Sequence, residues 1–237
     1  MPDRPLVVLT RPDGENEDLA AALERHGLAT RIAPCVRIAP LDDDAPLRDA
    51  LRHLRAEDLL VITSRAGARA VAAALAGGRC AAPVAAVGER TAEACRDSGL
   101  RVVFTPSVAS GSALAAELPL PRGAVLLARS DRASDEPVAI LRDRQATVGE
   151  IVAYRTLSVA PPADASGDAV VFASPSAVDG FALAAARAGS AVAIGPATAA
   201  RVRARLGIEP RVASPADGDI VAAVRSALEE RRAYIRR

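Results

Sequence analysis

The chain has 237 residues, half of them apolar and a quarter charged, and its 30 basic and 29 acidic side chains leave a formal charge of +1. That length fits one large or two small domains, and so even a balance speaks against a nucleic-acid binder. No apolar window approaches the roughly 18 residues that cross a bilayer, and MPDRPLVVLT runs straight into a strand with no secretory leader, so a cytoplasmic protein is expected.

Residues 6–10 (LVVLT) predict a strand, followed by Arg11-Pro12 and a helix over 15–26 that stops at Gly27. A strand at 30–33 comes next. Prolines 34 and 40 make 35–41 an extended connector rather than a core strand. An acidic turn at 42–44 starts a helix over 45–55. Strands at 59–62, 84–87, 101–104 and 125–128 then alternate with helices over 65–76, 90–98 and 110–117. A helix over 134–144 leads into a long extended segment, 147–159, which ends at Pro161-Pro162. From Asp168 the alternation resumes with strands at 169–172 and 191–194, alanine-rich helical sequence between them, and a closing helix over 217–230. The tail ERRAYIRR reads as a fraying end, and Tyr234 within it as incidental.

The sequence repeats itself. Asp58 recurs as Asp168 and Ser64 as Ser174, both 110 positions on, while Gly88 recurs as Gly195 and Thr91 as Thr198, both 107 on. A second set is offset by 118: Leu9-Thr10-Arg11 with Leu127-Ala128-Arg129, Leu23 with Leu141, and Arg37 with Arg155. The order is X (6–38), Y (58–118), X′ (124–156), Y′ (168–228), a duplication too long in period for a solenoid. Two proline-flanked crossings imply that one domain is inserted into the other. The residues leave open whether X folds with Y or with Y′.

Several residue types carry little. Every basic residue is arginine, as a compositional bias would produce. Cys35, Cys80 and Cys95 are odd in number and lack metal-type spacing. His26 and His53 lie in arginine-rich helical segments with no third ligand near, so no metal or Cys/His catalysis is expected. Five aromatic residues offer no stacking surface for bases.

Polar residues gather where strands turn into helices: Thr10-Arg11, Thr63-Ser64, Arg129-Ser130 and Ser174 with Ser176, joined by Gly88/Thr91 and Gly195/Thr198. Each hydroxyl has a sufficient role as an N-cap. Six such corners in register in two domains instead suggest a shared cleft, with helix amides favouring carboxylates and Arg11 and Arg129 as bidentate clamps. No Walker loop is possible without lysine, and LTRPDGENED lacks a dinucleotide fingerprint. Tyr154 lies in the second crossing, and its repeat counterpart is Val36, so the shared architecture does not need its hydroxyl. It reads equally as a sheet residue and as a functional one.

Together these motifs resemble the uroporphyrinogen-III synthase family: V-L-T-R-P at the start, T-S-x-x-A-x-x-A at 63–70, A-V-G-x-x-T-A-E at 86–93, L-A-R-S near 127, V-A-Y-R-T at 152–156, F-A-S-P-S-A-V at 172–178 and A-I-G-P-A-T at 193–198. The resemblance spans 6–228. It implies two similar three-layer, parallel-sheet α/β domains of flavodoxin-like form, joined by a two-stranded linker. Residues 1–36 plus 160–237 would form one domain and 41–152 the inserted one, with linkers at 36–41 and 152–160 and a cleft between the domains.

The implied activity is that of a cyclising hydro-lyase without cofactor. Hydroxymethylbilane, a linear tetrapyrrole with eight carboxylates, loses its terminal hydroxyl as water. The far ring attacks through its substituted carbon, and a spiro intermediate then lets that ring invert before closure. Tyr154 matches the family tyrosine that helps the hydroxyl leave, a role worth about 10²–10⁴ in rate. Arg11, Ser64, Gly88, Thr91, Arg129, Ser130, Ser174, Ser176, Gly195 and Thr198 would hold carboxylates. A monomer is implied, fed by hydroxymethylbilane synthase. Two positions depart from the family: Ser134, with Arg132 nearby, stands where many members carry a second arginine, and Ala173 stands where threonine is commoner. The competing readings are a non-catalytic tetrapyrrole- or small-molecule-binding module and a flavin binder, the latter disfavoured by the scarcity of aromatics.

Overall fold

The computed structural model describes residues 4–162 and 164–235. In chain order the first elements are β1 (Leu6–Leu9), α1 (Glu17–Arg25), β2 (Ala29–Ile32), β3 (Val36–Ala39) and α2 (Ala45–His53). Next come β4 (Leu59–Ile62), α3 (Arg65–Leu75), β5 (Val84–Ala86), α4 (Glu89–Asp97), β6 (Val102–Phe104) and α5 (Gly111–Glu117). They are followed by β7 (Val125–Ser130), α6 (Glu136–Asp143), β8 (Val148–Ser158), β9 (Ala169–Phe172) and α7 (Pro175–Phe181). The last are β10 (Ala191–Ile194), α8 (Pro196–Leu206), β11 (Arg211–Ala213) and α9 (Asp217–Ile235). These elements fall into two compact units, one built from the chain up to Arg37 and from Leu157 onward, the other from Ile38–Thr156.

The first unit is a five-stranded sheet in the order β11-β10-β9-β1-β2, with every neighbour parallel. β1 pairs with both β2 and β9, so segment X folds with Y′. A strand buried on both faces can be apolar throughout, which is why Val7, Val8 and Leu9 are all sealed from solvent. Val7 and Leu9 point to one side, where they join Leu19 and Leu23 of α1 and Ile220 and Val224 of α9. α7 carries Phe181, which meets Phe172 of β9 edge to face at 5.3 Å.

The second unit contains a six-stranded sheet in the order β3-β8-β7-β4-β5-β6. Its strands β4 to β8 pair in parallel. β4 divides its side chains by twos: Leu60 and Ile62 pack with Leu47, Leu51 and Val71 of α2 and α3, whereas Leu59 and Val61 pack with Leu114 and Leu141 of α5 and α6. When X′ is matched to X and Y to Y′, the order β8-β7-β4-β5-β6 repeats β2-β1-β9-β10-β11 of the first unit.

One pair of carboxylates displays the duplication in atoms. Asp58 Oδ1 accepts from Ala124 N at 2.7 Å, at the foot of the β4–β7 pair. Asp168 Oδ2 accepts from Leu6 N at 2.9 Å, at the foot of β9–β1. Residues 58 and 168 differ by 110, and 6 and 124 by 118, the two offsets of the repeat. The Arg55 and Ala124 amides that donate to Asp58 favour its charged form and hold its carboxyl below the ordinary aspartate pKa.

Three elements differ from the sequence reading. The 35–41 connector contains β3, an ordered strand whose edge position tolerates the prolines on either side. The alanine-rich stretch after Ser174 holds only the two turns of α7 before the chain reaches β10. α9 carries on to Ile235, where a fraying tail was expected; the Tyr234 side chain lies outside the described residues.

Candidate functional site

In the second unit the site begins where β4 ends. Ser64 has extended backbone angles (φ −162°, ψ 157°), and its Oγ accepts from Gly67 N at 2.9 Å, capping α3. Gly67 admits this close seat: a Cβ there would lie 3.2 Å from Ser64 Oγ and 3.3 Å from Ile62 Cγ2. Tyr154 reaches the same corner from β8. Its ring belongs to the packed cluster of Leu60, Ile62 and Ala128 and is 8% exposed. Its Oη stands 2.9 Å from Ser64 Oγ, across 90 residues of sequence. Packing and a hydrogen bond thus hold the phenol at the carboxyl end of the parallel strands, where open α/β sheets bind ligands.

β5 leads to Gly88, whose carbonyl accepts from Thr91 N and Ala92 N at 3.1 and 2.9 Å to open α4. Thr91 is buried in that first turn. β7 ends in Arg129 and Ser130. The sequence reading made Arg129 a carboxylate clamp, but its guanidinium serves the protein's own loop. Nη1 donates to Ser134 O, and Nη2 donates to Ala133 O and Asp135 Oδ1, at 3.1, 3.1 and 2.6 Å. Glu150 Oε2 lies 3.2 Å from Nη1. Ser134, noted for replacing an arginine, is therefore an acceptor for Arg129 through its backbone. Ser130 Oγ meets Thr156 Oγ1 at 2.6 Å, and Asp131 Oδ1 accepts from Thr156 N at 2.8 Å, so the ends of β7 and β8 are stapled together.

The first unit repeats the corners with changes. Ser174 caps α7 through Ala177 N at 3.2 Å. Ser176 is buried, and its carbonyl accepts from Ser158 Oγ at 2.9 Å. Gly195 precedes α8 at φ 81°, ψ 164°, a region open only to glycine, and Thr198 is buried in the turn beyond. Thr10 turns away from capping: its hydroxyl donates to Val171 O at 2.7 Å and ties β1 to β9. Arg11 lies 3.8 Å from Asp217 at the start of α9.

Asn16, Asp131 and Thr156 escaped the sequence reading as parts of these corners. Asn16 Nδ2 bonds the carbonyls of Arg11 and Pro12 at 3.0 and 3.1 Å and so shapes the β1–α1 loop. Its position just before a helix was the available signal. Among the described residues no group of three or more His, Cys, Asp or Glu could hold a metal ion. No described helix is long and apolar enough to cross a membrane.

Fold and corners together define a duplicated parallel α/β protein with serine-capped strand ends and a phenol hydrogen-bonded at one of them. A family model described as Uroporphyrinogen-III synthase HemD matches residues 17–221, and the chain belongs to that family. The chloroplastic uroporphyrinogen-III synthase of Oryza sativa subsp. japonica is 31% identical over 167 residues, covering 67% of this chain and 55% of that protein. The porphyrin biosynthesis protein HemD of Ruminiclostridium josui is 27% identical over 192 residues, covering 74% of this chain and 38% of that protein. The chain thus spans about half or less of the length of these curated relatives. A mutant uroporphyrinogen III synthase from the extremely thermophilic bacterium Thermus thermophilus shares the fold at 22% identity and a TM-score of 0.58, over 95% of this chain and 99% of that one. The uroporphyrinogen-III synthetase of Helicobacter pylori 26695 does so at 18% and 0.55, over 94% and 99%.

Proposed function

We propose that this protein is a uroporphyrinogen-III synthase that cyclises hydroxymethylbilane with inversion of the terminal ring and loss of water. The observation that carries this reading is the family match over 17–221, which takes in Tyr154 and every corner except Thr10-Arg11. The Tyr154 hydroxyl donates to the departing hydroxyl and lowers the cost of breaking its bond to carbon. Electron density from the neighbouring pyrrole replaces that bond, water leaves, and the substituted carbon of the far ring attacks the carbon left behind. Reopening of the resulting spiro centre inverts that ring before the macrocycle closes.

Because the bilane can close unaided to the uninverted isomer, holding its shape matters as much as proton donation. Amides and hydroxyls at Ser64, Gly88, Thr91, Ser130, Ser174, Ser176, Gly195 and Thr198 bind the substrate's carboxylates, with Arg11 as a cationic contributor. Arg129 acts one step removed, by shaping the loop that presents Ser130; its four contacts to Ala133, Ser134, Asp135 and Glu150 support that role. In this reading the second unit is a domain inserted into the first. The enzyme works as a cytoplasmic monomer without cofactor, taking its substrate from hydroxymethylbilane synthase.

The test is incubation with freshly made hydroxymethylbilane followed by oxidation and separation of the porphyrin isomers. Isomer III is expected in excess. Isomer I alone, at the rate of the protein-free control, would leave a binding module in place of an enzyme.

A further inference from the structure

We propose that Thr156 is a positioning residue for Tyr154: its hydroxyl, latched to Ser130, fixes the shifted register of β8 that turns the phenol ring toward Ser64. The proposal rests on the reading of Tyr154 as the group that acts on the substrate, and it adds what places the ring.

Partners on β7 and β8 run one for one from Val125 with Val148 to Arg129 with Val152, and then Ser130 pairs with Tyr154. Ala153 is left over as a β-bulge, which is rare between parallel strands. Side chains of a regular strand alternate between its faces. Val148 packs against the α5 and α6 cluster, and Ile151 and Ala153 against that of α2 and α3, so unbroken alternation would send residue 154 to the α5 and α6 side. Tyr154 instead lies in the same cluster as Ala153, its immediate neighbour. The extra residue has brought the phenol round to the face where its Oη stands 2.9 Å from Ser64 Oγ.

A bulge can be undone by a slip of one residue, which reverses every side chain beyond it. Thr156 opposes that slip. It lies two residues past Tyr154 and shares its face whatever the register. Its Oγ1 stands 2.6 Å from Ser130 Oγ, and the bond exists whichever hydroxyl donates. After a slip the threonine hydroxyl would point to the other face and the bond would be lost. Asp131 Oδ1, accepting from Thr156 N at 2.8 Å, and Asp131 N, donating to Tyr154 O at 3.2 Å, hold the backbone there but would serve any side chain. The hydroxyl pair is what chooses the face.

The duplication provides the comparison. At the offset of 118, Tyr154, Thr156 and Ser130 correspond to Val36, Ile38 and Pro12. The copy without the phenol also lacks both halves of the latch.

The chain has two tyrosines and no tryptophan, so in full-length protein carrying Tyr234→Phe the tyrosine fluorescence comes from Tyr154 alone. Its ring is packed, and acrylamide should quench it weakly. Thr156→Val keeps the shape of the side chain without its hydroxyl and is expected at least to double the quenching constant. Thr156→Ser should restore the original value. Ser158→Ala, which removes the next hydroxyl bond along β8, should leave it in place. A constant that Thr156→Val leaves unmoved, that serine does not restore, or that Ser158→Ala raises equally overturns the proposal. Should Thr156→Val not fold, Ser130→Ala cuts the same bond from its other end and is read the same way. With hydroxymethylbilane, Thr156→Val should lower kcat by about tenfold or more with KM little changed, and should add nothing to Tyr154→Phe. A further loss in that background would mean that Thr156 acts by itself, and it overturns the proposal too. Quenching needs no substrate, so an unmoved constant with isomer III still formed removes this proposal alone. A doubled constant without isomer III removes the functional reading and upholds the placement of the ring.

Discussion

Tyr154 packs as a sheet residue and sets its hydroxyl against Ser64 at a strand-end corner. Tyr154→Phe keeps the ring and deletes the hydrogen bond to Ser64, itself worth about 1 kcal/mol of stability. Under the proposed function, turnover of hydroxymethylbilane should fall by about 10²-fold or more, while the melting temperature changes by only a few degrees. Steady-state kinetics beside calorimetry would check both. The thiols behave oppositely, as buried groups held neutral. Desolvation pushes Cys35 up to about 12 and Cys95 to about 11, and raises the half-buried Cys80 by a smaller margin. All three are protonated at neutral pH, so alkylation there should be slow and should reach Cys80 first, as peptide mass mapping would show. Because their folded-state values are raised, the stability they contribute is complete below the unfolded thiol range and is lost as pH climbs toward 11 and 12.

At the scale of elements, the two glycine corners look alike in sequence but are built differently. Gly195 needs its φ of 81°, whereas the extended Gly88 (φ 173°) could be any residue on backbone grounds. A Cβ on Gly195 meets nothing, while one on Gly88 would lie 2.8 Å from Ala109 Cβ. Gly195→Ala should therefore cost about 1–3 kcal/mol through backbone strain alone. No neighbouring substitution should rescue it, whereas the loss in Gly88→Ala should be recovered by adding Ala109→Gly; denaturant midpoints would separate the two cases. β8 shows how a repeat drifts. It is a single strand of eleven residues that shifts register between Arg129 and Ser130, while its counterpart in X is broken into β2 and β3 around Pro34. Proline cannot donate to a ladder, so one copy broke and the other stayed whole.

For the whole molecule, connectivity decides what can fold alone. Residues 36–158 hold every strand of the six-stranded sheet and both of its apolar clusters. That fragment should melt cooperatively. Residues 157–237 lack β1, α1 and β2, and with them Val7, Leu9, Leu19 and Leu23 of the first unit's core. Alone they should show no cooperative transition, as circular dichroism melts of the two fragments would reveal.

By itself the sequence determined the alternation of buried strands and helices, the two offsets of the duplication and the capping serines at 64 and 174. Each follows from rules that act within a few residues: the period of apolar side chains, the reach of a hydroxyl to an amide three positions on, the punctuation of glycine and proline. The tertiary structure alone decided that β1 lies between β2 and β9, that Arg129 turns into its own loop, and that the phenol of Tyr154 meets a serine 90 residues before it. Those outcomes depend on which distant strands become neighbours, and local preference has no term for partners so far away along the chain.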